Sequence, residues 1–447
     1  MPSIELKRKI ALVEAEMPLA LRTMGMLIDM KIPFLQAVEI VSEEDGVLSE
    51  ELCRIVQEVK GGVTVQRAFA RFARSYSSFN LKRAISQLLS AYEVGSPGTE
   101  LRRIGDDLME IERHKMKEYS SKSAIFGLLF IVSSAILPTF FLIYSVLGQF
   151  ALGTSISLEG IVIGLLFLSP MISVAILLIS RSTMPASPFQ RPGGLEVKML
   201  IPAAIFLLSF LFLPGELSFL GILAGAAAAV LLSYRGYREE VRQEEIERYL
   251  PDGLFAISGL PKSTSMDKVF GIIASAGYGA LSEEAEKSRK QVESNVKTGA
   301  VLEDLWRRND SPMLKRAAMM LKHVFDTNSF DRLNSLAEDI LKNFAVKRDR
   351  AQMSAIQKYT LLFGALIIPL ILKITLYLLT SMIDLFEDQA AVSVLEFAFS
   401  LVPPYLILYS LISSSYIADI EEKKSMAVIY FLLMAAVGLV AFYFIDL

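Results

Sequence analysis

The segment RAFARFAR, residues 67–74, carries three arginines at helical spacing. Arg67, Arg71 and Arg74 fall at i, i+4 and i+7, and Phe69 and Phe72 lie on the opposite side of the same helix. A basic ridge of this kind suits docking to an acidic partner and acts mainly on the association rate. The alternatives are a solvated face or one that lies against anionic headgroups. Weaker members of the same docking hypothesis are Arg102, Arg103 and Arg308.

Two charged residues lie within stretches that are apolar enough to cross a membrane. Lys373 lies near the middle of one stretch, and Glu396 lies toward one end of the next. Charge at membrane depth is costly unless it is paired or hydrated. The sequence therefore leaves two alternatives, a Lys373–Glu396 contact or two side chains that snorkel or line a water-filled cavity independently.

Glycines four residues apart occur in two of the apolar stretches. GIVIG contains Gly160 and Gly164, and GILAG contains Gly221 and Gly225. This spacing lets helix backbones approach closely, either within one chain or across a dimer, and packing within the chain is the preferred interpretation. Prolines predict bent helices that line a groove. Those that interrupt the stretches are Pro170, Pro202, Pro369, Pro403 and Pro404.

No catalytic pattern is present in the sequence. There is no G-x-x-x-x-G-K-[ST] phosphate loop and no G-x-G-D segment of the kind found in membrane aspartyl peptidases. His114 and His323 lack acidic or Cys partners at ligand spacing, and Cys53 lies on an apolar helical stripe. We therefore expect no enzyme activity, no metal and no cofactor.

The composition indicates an integral membrane protein. Of 447 residues, 53% are hydrophobic and only 21% are charged, and the mean hydropathy is +0.45. These values are too apolar for an ordinary soluble domain. A net charge of −3 indicates no particular partner, and a single Cys excludes an intramolecular disulfide. The first residues lack an apolar core of signal-peptide length, so we expect no cleaved signal.

Lys and Arg fall almost entirely into two blocks, residues 1–123 and 235–358. We predict a cytoplasmic helical domain in each block, four membrane spans in residues 124–234 and three in residues 359–447. The seven predicted spans are residues 124–147, 158–179, 199–213, 217–233, 361–383, 392–413 and 426–445. A tight turn at residues 214–217 makes the third and fourth spans a hairpin.

The connections between the predicted spans differ in charge. The Pro/Gly-containing loop at residues 181–198 and the connection at residues 418–424 carry Lys or Arg, whereas the other three connections carry neither. Basic connections favour the cytoplasmic side. We therefore predict that the N-terminus and both blocks are cytoplasmic and that the C-terminus lies outside.

Both blocks are predicted to be helical. In EELCRIVQEVKGG, Ser49 suits a helix N-cap, and the glycines at 61–62 predict the helix end. An apolar stripe at i, i+3, i+4 and i+7 is formed by Leu52, Ile55, Val56 and Val59. Neither block shows a sustained alternation with a period of two. The predicted fold class is therefore an all-α integral membrane protein.

The second block repeats landmarks of the first. GVLSEELC begins at Gly46 and GALSEEAE at Gly279, and the same interval separates Pro18 from Pro251. The next match pairs VKGG with VKTG, Gly62 with Gly299, and requires an insertion of about one helical turn. This alignment also pairs Phe69 with Trp306 and Arg71 with Arg308. These matches predict that the chain is a tandem duplication. In the second copy, the residues after LSEE are predicted to form a helix of exposed charge.

These landmarks resemble the type II secretion system F domain, which occurs in platform proteins of type IV pili, type II secretion systems, Tad pili and the archaellum. In the first block they are MKIPFLQAVEI at residues 30–40, the glycines at 61–62, Ala68–Phe69 and the step Glu93-Val94-Gly95. In the second block FDTNS replaces that step. The large number of spans and the fused pair of domains are similar to archaeal members of the family.

The resemblance implies a platform in the cytoplasmic membrane without catalytic activity. Such a platform seats a hexameric secretion ATPase on its cytoplasmic bundles, and between its spans, among the membrane lipid, it receives the apolar N-terminal helix of pilin-like subunits. No nucleic acid is implied, and a homodimer is one alternative for the oligomeric state. The sequence leaves two other classes of function open: a transporter with an intramembrane Lys373/Glu396 site and a receptor with paired cytoplasmic bundles.

Overall fold

Every regular element of the described chain is a helix. The computed structural model describes residues 4–95, 97–152, 158–188, 197–212, 218–261, 264–386 and 389–444, and these contain no β-strand. The predicted all-α fold is confirmed. The chain divides into two compact units. The bundle unit comprises Met1–Met116, Pro185–Gln190 and Val241–Asp349, and the span unit comprises Lys117–Met184, Arg191–Glu240 and Arg350–Leu447.

Among the described residues, nine α-helices belong wholly to the bundle unit. They are α1 (Ile4–Asp29), α2 (Phe34–Ser42), α3 (Val47–Lys60), α4 (Val65–Ser75), α5 (Phe79–Val94), α11 (Met266–Ser275), α12 (Ala280–Glu293), α13 (Thr298–Asn309) and α14 (Pro312–Thr327). The helices assigned to the span unit are α7 (Leu158–Val162), a π-helical segment (Ile163–Leu168), α8 (Ser169–Thr183), α9 (Val197–Phe212), α16 (Gln389–Ile420) and α17 (Met426–Phe444). Three long helices contribute residues to both units: α6 (Pro97–Leu152), α10 (Ser218–Ser258) and α15 (Leu333–Phe386).

Within the bundle unit, we call Met1–Met116 the first bundle and Val241–Asp349 the second bundle. Three pairs of helices start at one constant interval along the chain, the interval that separates Gly46 from Gly279. This interval relates α3 to α12, α4 to α13 and α5 to α14. The predicted insertion of about one helical turn is therefore wrong.

The insertion was suggested by VKTG at residues 296–299, but those residues follow the end of α12. The true counterpart of Gly62 is Asn295, and both have a positive φ just after their helix, where Gly and Asn are the favoured residues. Gly95 and Asn328 also have left-handed backbones and end α5 and α14. The second bundle thus uses Asn where the first uses Gly, and the helices keep the same register.

The start of α3 differs from the prediction because a side chain from another helix caps it. The helix begins at Val47, after Gly46, and Ser49 is not its N-cap. The carboxylate of Glu16 on α1 accepts the backbone N–H groups of Val47 at 3.3 Å and Leu48 at 2.7 Å. Burial raises the pKa of Glu16, and these two hydrogen bonds act in the opposite direction. The predicted apolar stripe is otherwise confirmed, since Leu52, Ile55 and Val56 are buried.

The polar helix α12 does not expose all of its charged residues to solvent. Glu284 is buried, and three cations bind its carboxylate: Arg242 at 2.8 Å, Lys287 at 2.7 Å and Arg308 at 3.0 Å. Burial raises the pKa of Glu284, but the hydrogen bonds from Lys287 and Arg308 outweigh burial and lower it overall. The predicted exposed charge of this helix is therefore wrong at its centre.

Five helical segments among the described residues are long and apolar enough to cross a membrane: Gly98–Ser145, Leu158–Thr183, Phe330–Ile383, Val392–Ile420 and Met426–Phe444. The chain is a multi-pass membrane protein. The predicted third and fourth spans are not among the five, and their predicted hairpin turn lies outside the described residues. Even so, α9 and α10 pack in the span unit through Phe206 and Ala229, which share an apolar cluster with Phe431 of α17.

Candidate functional site

The arginine ridge lies on the exposed side of α4. Thr64 caps the helix by accepting the N–H of Arg67 at 3.4 Å, which sets the start of the helix. From this start, the apolar face is buried in the first bundle, where the ring of Phe69 lies 6.0 Å from that of Phe34. The opposite face exposes Arg67, Arg71 and Arg74. The predicted amphipathic arrangement is therefore present in the structure.

Of these three arginines, Arg71 has an ion pair, with Glu58 of α3 at 3.1 Å. No ion pair of Arg67 or Arg74 occurs among the described residues. The equivalent positions on α13 are Ala300, Asp304 and Arg307, so the ridge belongs to the first bundle alone. Three exposed guanidinium groups on one helix face leave strong hydrogen-bond donors available to a carboxylate-bearing partner.

The three weaker arginine candidates differ in how available they are. Arg103 is exposed and pairs with Glu100 on its own helix, and this hydrogen bond raises the pKa of Arg103. Arg102 is half-buried and pairs with Asp29 of α1. Arg308 binds the buried Glu284. Arg102 and Arg308 therefore hold their bundles together and have less freedom to meet a partner.

Sequence reasoning missed the charged contacts that join the two bundles. Arg22 of α1 is buried and donates to Asp106 of the first bundle and to Asp339 of the second. Arg316 of α14 binds Glu44, which lies between α2 and α3. Asp106 and Asp339 are separated by the interval that relates the two bundles. The repeat in the sequence could therefore have indicated these two residues as a pair. A buried Arg that serves both aspartates fixes the bundles in one arrangement.

The sequence left two alternatives for Lys373 and Glu396, a contact between the two residues or two independent side chains. Lys373 is half-buried on α15, whereas Glu396 is exposed on α16. No ion pair joins the two among the described residues. Glu396 lies on an exposed side of its helix, which agrees with the second alternative.

The glycines of the span unit make close contacts within the chain. A Cβ at Gly164 would lie 2.2 Å from the ring of Phe141, and one at Gly225 would lie 2.6 Å from the ring of Phe206. Both glycines therefore allow one helix to approach an aromatic ring of another, which supports packing within the chain. Gly160 is half-buried, and the surroundings of Gly221 lie outside the described residues. The helices continue through Pro369, Pro403 and Pro404, all three of which are buried.

A buried polar cluster joins four helices of the span unit. Gln357 of α15 donates to Tyr416 of α16 at 2.8 Å and to Ser180 of α8 at 3.0 Å. Its carbonyl accepts from Tyr119 of α6 at 3.2 Å. Every polar group of Gln357 is thus satisfied inside the protein, which fixes the relative positions of these helices.

The structure offers little for catalysis in the part of the chain that it describes. No group of three or more His, Cys, Asp or Glu side chains that could hold a metal occurs there. His114 lies 3.5 Å from Glu110, and both side chains are exposed. A cavity of about 40 Å³ in the second bundle has an almost wholly apolar lining that includes Leu250, Phe270 and Leu305. It is too small for a drug-sized ligand.

Comparison with known proteins gives a family match in the first part of the chain. Residues 20–146 match the family model described as "Type II secretion system (T2SS), protein F". No curated protein and no solved structure matches the chain significantly. The matched segment contains the C-terminal part of α1, all of α2–α5 and most of α6, including the arginine ridge. Over residues 20–146 the chain is therefore similar to the F domain of the type II secretion system.

Proposed function

We propose that this chain is a membrane platform protein without catalytic activity, which couples a cytoplasmic secretion ATPase to the assembly of a filament or to type II secretion. The F domain at residues 20–146 is the observation that carries this proposal. The five apolar helices supply a membrane anchor of the kind that a platform requires. A type IV pilus-like or archaellum-like filament agrees best with the predicted number of spans.

We infer that the two bundles arose by duplication of one F domain. The constant interval between helix starts supports this inference, and so does a repeated cap. Ser78 and Ser311 are N-caps, and each donates its hydroxyl to a carboxylate of the same bundle, Glu14 or Glu247. A lysine completes each site: Lys115 lies 3.0 Å from Glu14 and Lys347 lies 2.6 Å from Glu247.

In this proposal the bundle unit faces the cytoplasm and receives the hexameric ATPase on the α4 ridge. The basic connections at residues 181–198 and 418–424 support this orientation, with the C-terminus outside. The spans receive the apolar N-terminal helix of a pilin-like subunit within the lipid bilayer. Pro369 of α15 and Pro403 of α16 weaken the helix hydrogen-bond ladder where such a helix could be accommodated.

Pull-down of the purified ATPase by the full chain in detergent micelles tests the proposal. Reversing the ridge, as Arg67→Glu/Arg71→Glu/Arg74→Glu, should weaken binding by about tenfold or more, because three exposed cations on one face become anions. The matched control is Lys268→Glu/Lys290→Glu/Lys297→Glu, since these residues are exposed in the second bundle and the net charge changes by the same amount.

The control should bind as the wild type does. Retained binding by the ridge variant would remove the ridge from the docking surface. If the wild-type chain bound neither the ATPase nor a pilin-like subunit, the platform function itself would be refuted.

A further inference from the structure

The tetrapeptide LKRA occurs twice, at Leu81–Ala84 on α5 and at Leu314–Ala317 on α14. The two copies are separated by the interval that relates the two bundles, and each begins three residues after a serine N-cap. Both helices have 16 residues. The two basic pairs, Lys82–Arg83 and Lys315–Arg316, therefore occupy equivalent positions on equivalent helices.

The basic pair of the second bundle binds an acidic loop of the first bundle. Arg316 Nε donates to both carboxylate oxygens of Glu44, at 3.0 and 3.2 Å, and Lys315 Nζ lies 2.7 Å from Asp45. Glu44 and Asp45 immediately precede α3 in the sequence SEEDGVLSEE. The chain thus shows within itself what an LKRA pair binds: two adjacent carboxylates just ahead of a helix.

The basic pair of the first bundle has no such partner among the described residues. Lys82 and Arg83 are both exposed, and no ion pair of either occurs there. The second bundle cannot supply the missing acids in an equivalent contact, because Gly277 and Tyr278 stand at the positions equivalent to Glu44 and Asp45. Phe79, one turn earlier on the same helix face, is 79% exposed. The α5 face therefore combines an exposed ring with two exposed cations.

We propose that Phe79, Lys82 and Arg83 bind an acidic loop of a partner protein, a loop with two adjacent carboxylates ahead of a helix start. A second copy of this chain is a poor occupant, since Arg316 and Lys315 already hold its own Glu44 and Asp45. The identity of the partner as the secretion ATPase rests on the proposed function, but the chemistry of the site does not. The site is separate from the α4 ridge, which lacks an internal counterpart.

A peptide from the chain itself tests the site without reference to any partner. The probe is fluorescently labelled VSEEDGVLSEEL, residues 41–52, and its binding to the full chain in detergent micelles is followed by fluorescence anisotropy. A second peptide with Gln and Asn in place of Glu44 and Asp45 tests the need for the two carboxylates. We expect the acidic peptide to bind about tenfold or more tightly than the amide peptide.

Lys82→Glu/Arg83→Glu should reduce binding of the acidic peptide by about tenfold or more, because two attractive contacts become repulsive. The matched control is Lys7→Glu/Arg8→Glu, an adjacent and exposed basic pair on α1. Equal affinity of the two peptides, or unchanged peptide binding by Lys82→Glu/Arg83→Glu, overturns the proposed site.

The purified ATPase then tests the identity of the partner with the same variants. Weaker ATPase binding by Lys82→Glu/Arg83→Glu, with normal binding by the Lys7/Arg8 control, supports the ATPase as the protein that supplies the acidic loop. Unchanged ATPase binding by that variant overturns this identity and leaves the platform function standing. A wild-type chain that binds the acidic peptide but neither the ATPase nor a pilin-like subunit contradicts the proposed function and supports the site.

Discussion

The ion pair between Arg316 and Glu44 should be a large single contribution to the association of the two bundles. Arg316 donates three hydrogen bonds to the carboxylate, and the side chains are only 19% and 10% exposed. Arg316→Met leaves Glu44 charged, desolvated and unpaired, which costs about 3–5 kcal/mol. Glu44→Gln leaves the guanidinium unpaired at a similar cost.

The double variant Glu44→Gln/Arg316→Met removes both charges, and we expect it to lie within about 2 kcal/mol of the wild type. Asp45→Asn is the matched control. Asp45 is 84% exposed, so its ion pair with Lys315 is worth at most about 1 kcal/mol. The contrast between a buried and an exposed ion pair at neighbouring positions is what the comparison measures.

Hydrogen exchange of the full chain in detergent micelles, followed by mass spectrometry, gives the free energy of local opening. In Arg316→Met the amides of α3 and α14 should exchange about a hundredfold faster or more, since 1.4 kcal/mol corresponds to about a factor of ten. Trp306, the single tryptophan, provides a second signal, because its ring centre lies 4.8 Å from Lys315 Nζ. Its fluorescence should change in Arg316→Met and revert toward the wild type in the double variant. Exchange within threefold of the wild type in Arg316→Met, or a double variant less stable than either single variant, would refute the reasoning.

Two further predictions concern packing and pH. Gly164→Ala should destabilise the span unit by about 1–3 kcal/mol and lower the thermal midpoint in micelles, because the new methyl group meets the ring of Phe141. The control Gly259→Ala should leave the midpoint unchanged, because no atom lies within 4 Å of its Cβ position. An unchanged midpoint in Gly164→Ala would contradict the close contact. Burial lowers the pKa of His323 from 6.5, so the unfolded chain binds a proton that the folded chain does not. The stability due to neutral His323 is present above about pH 6.5 and is lost as the pH falls from there through the lower folded-state pKa. The thermal midpoint should therefore drop more between pH 7.5 and 5.5 in the wild type than in His323→Gln, and an equal drop in both would contradict the assignment.

Helical periodicity and turn residues predicted the first bundle well. The stripe of α3, the buried Phe69 and the exposed ridge of α4 all follow from spacing along single helices. The N-cap of α3 could not be predicted in this way, because Glu16, the residue that caps it, lies on another helix. The burial of Glu284 was missed for a similar reason. Two of its three cationic partners, Arg242 and Arg308, come from different helices, and a helix full of charge gives no local sign of which residue turns inward.

Sequence identity over a few residues gave the wrong alignment of the two bundles where the positions of the helix ends gave the right one. The VKTG segment resembles VKGG in sequence, but a match of register requires residues that allow a positive φ at the same place, and Asn295 does this without resembling Gly62. A Lys373–Glu396 contact was one of two alternatives that the depth of these residues in the apolar stretches left open. Depth does not determine which side of a helix a residue occupies, and Glu396 lies on an exposed side.

The residues after the two LKRA segments explain why equivalent helices have different roles. On α5 the chain continues with Ser86 and Gln87, which suit a surface in contact with water. On α14 the equivalent residues are Met319 and Met320, and Met320 is fully buried. Burial of Met320 stabilises the packing of α14, whereas a methionine at the exposed position of Ser86 on α5 would add apolar surface. In the second bundle this face therefore has the composition of an interior, while in the first it keeps its cations in a polar setting. A face that retains a basic pair and an exposed Phe79, but no apolar residues at these two positions, has the composition expected of a reversible docking surface.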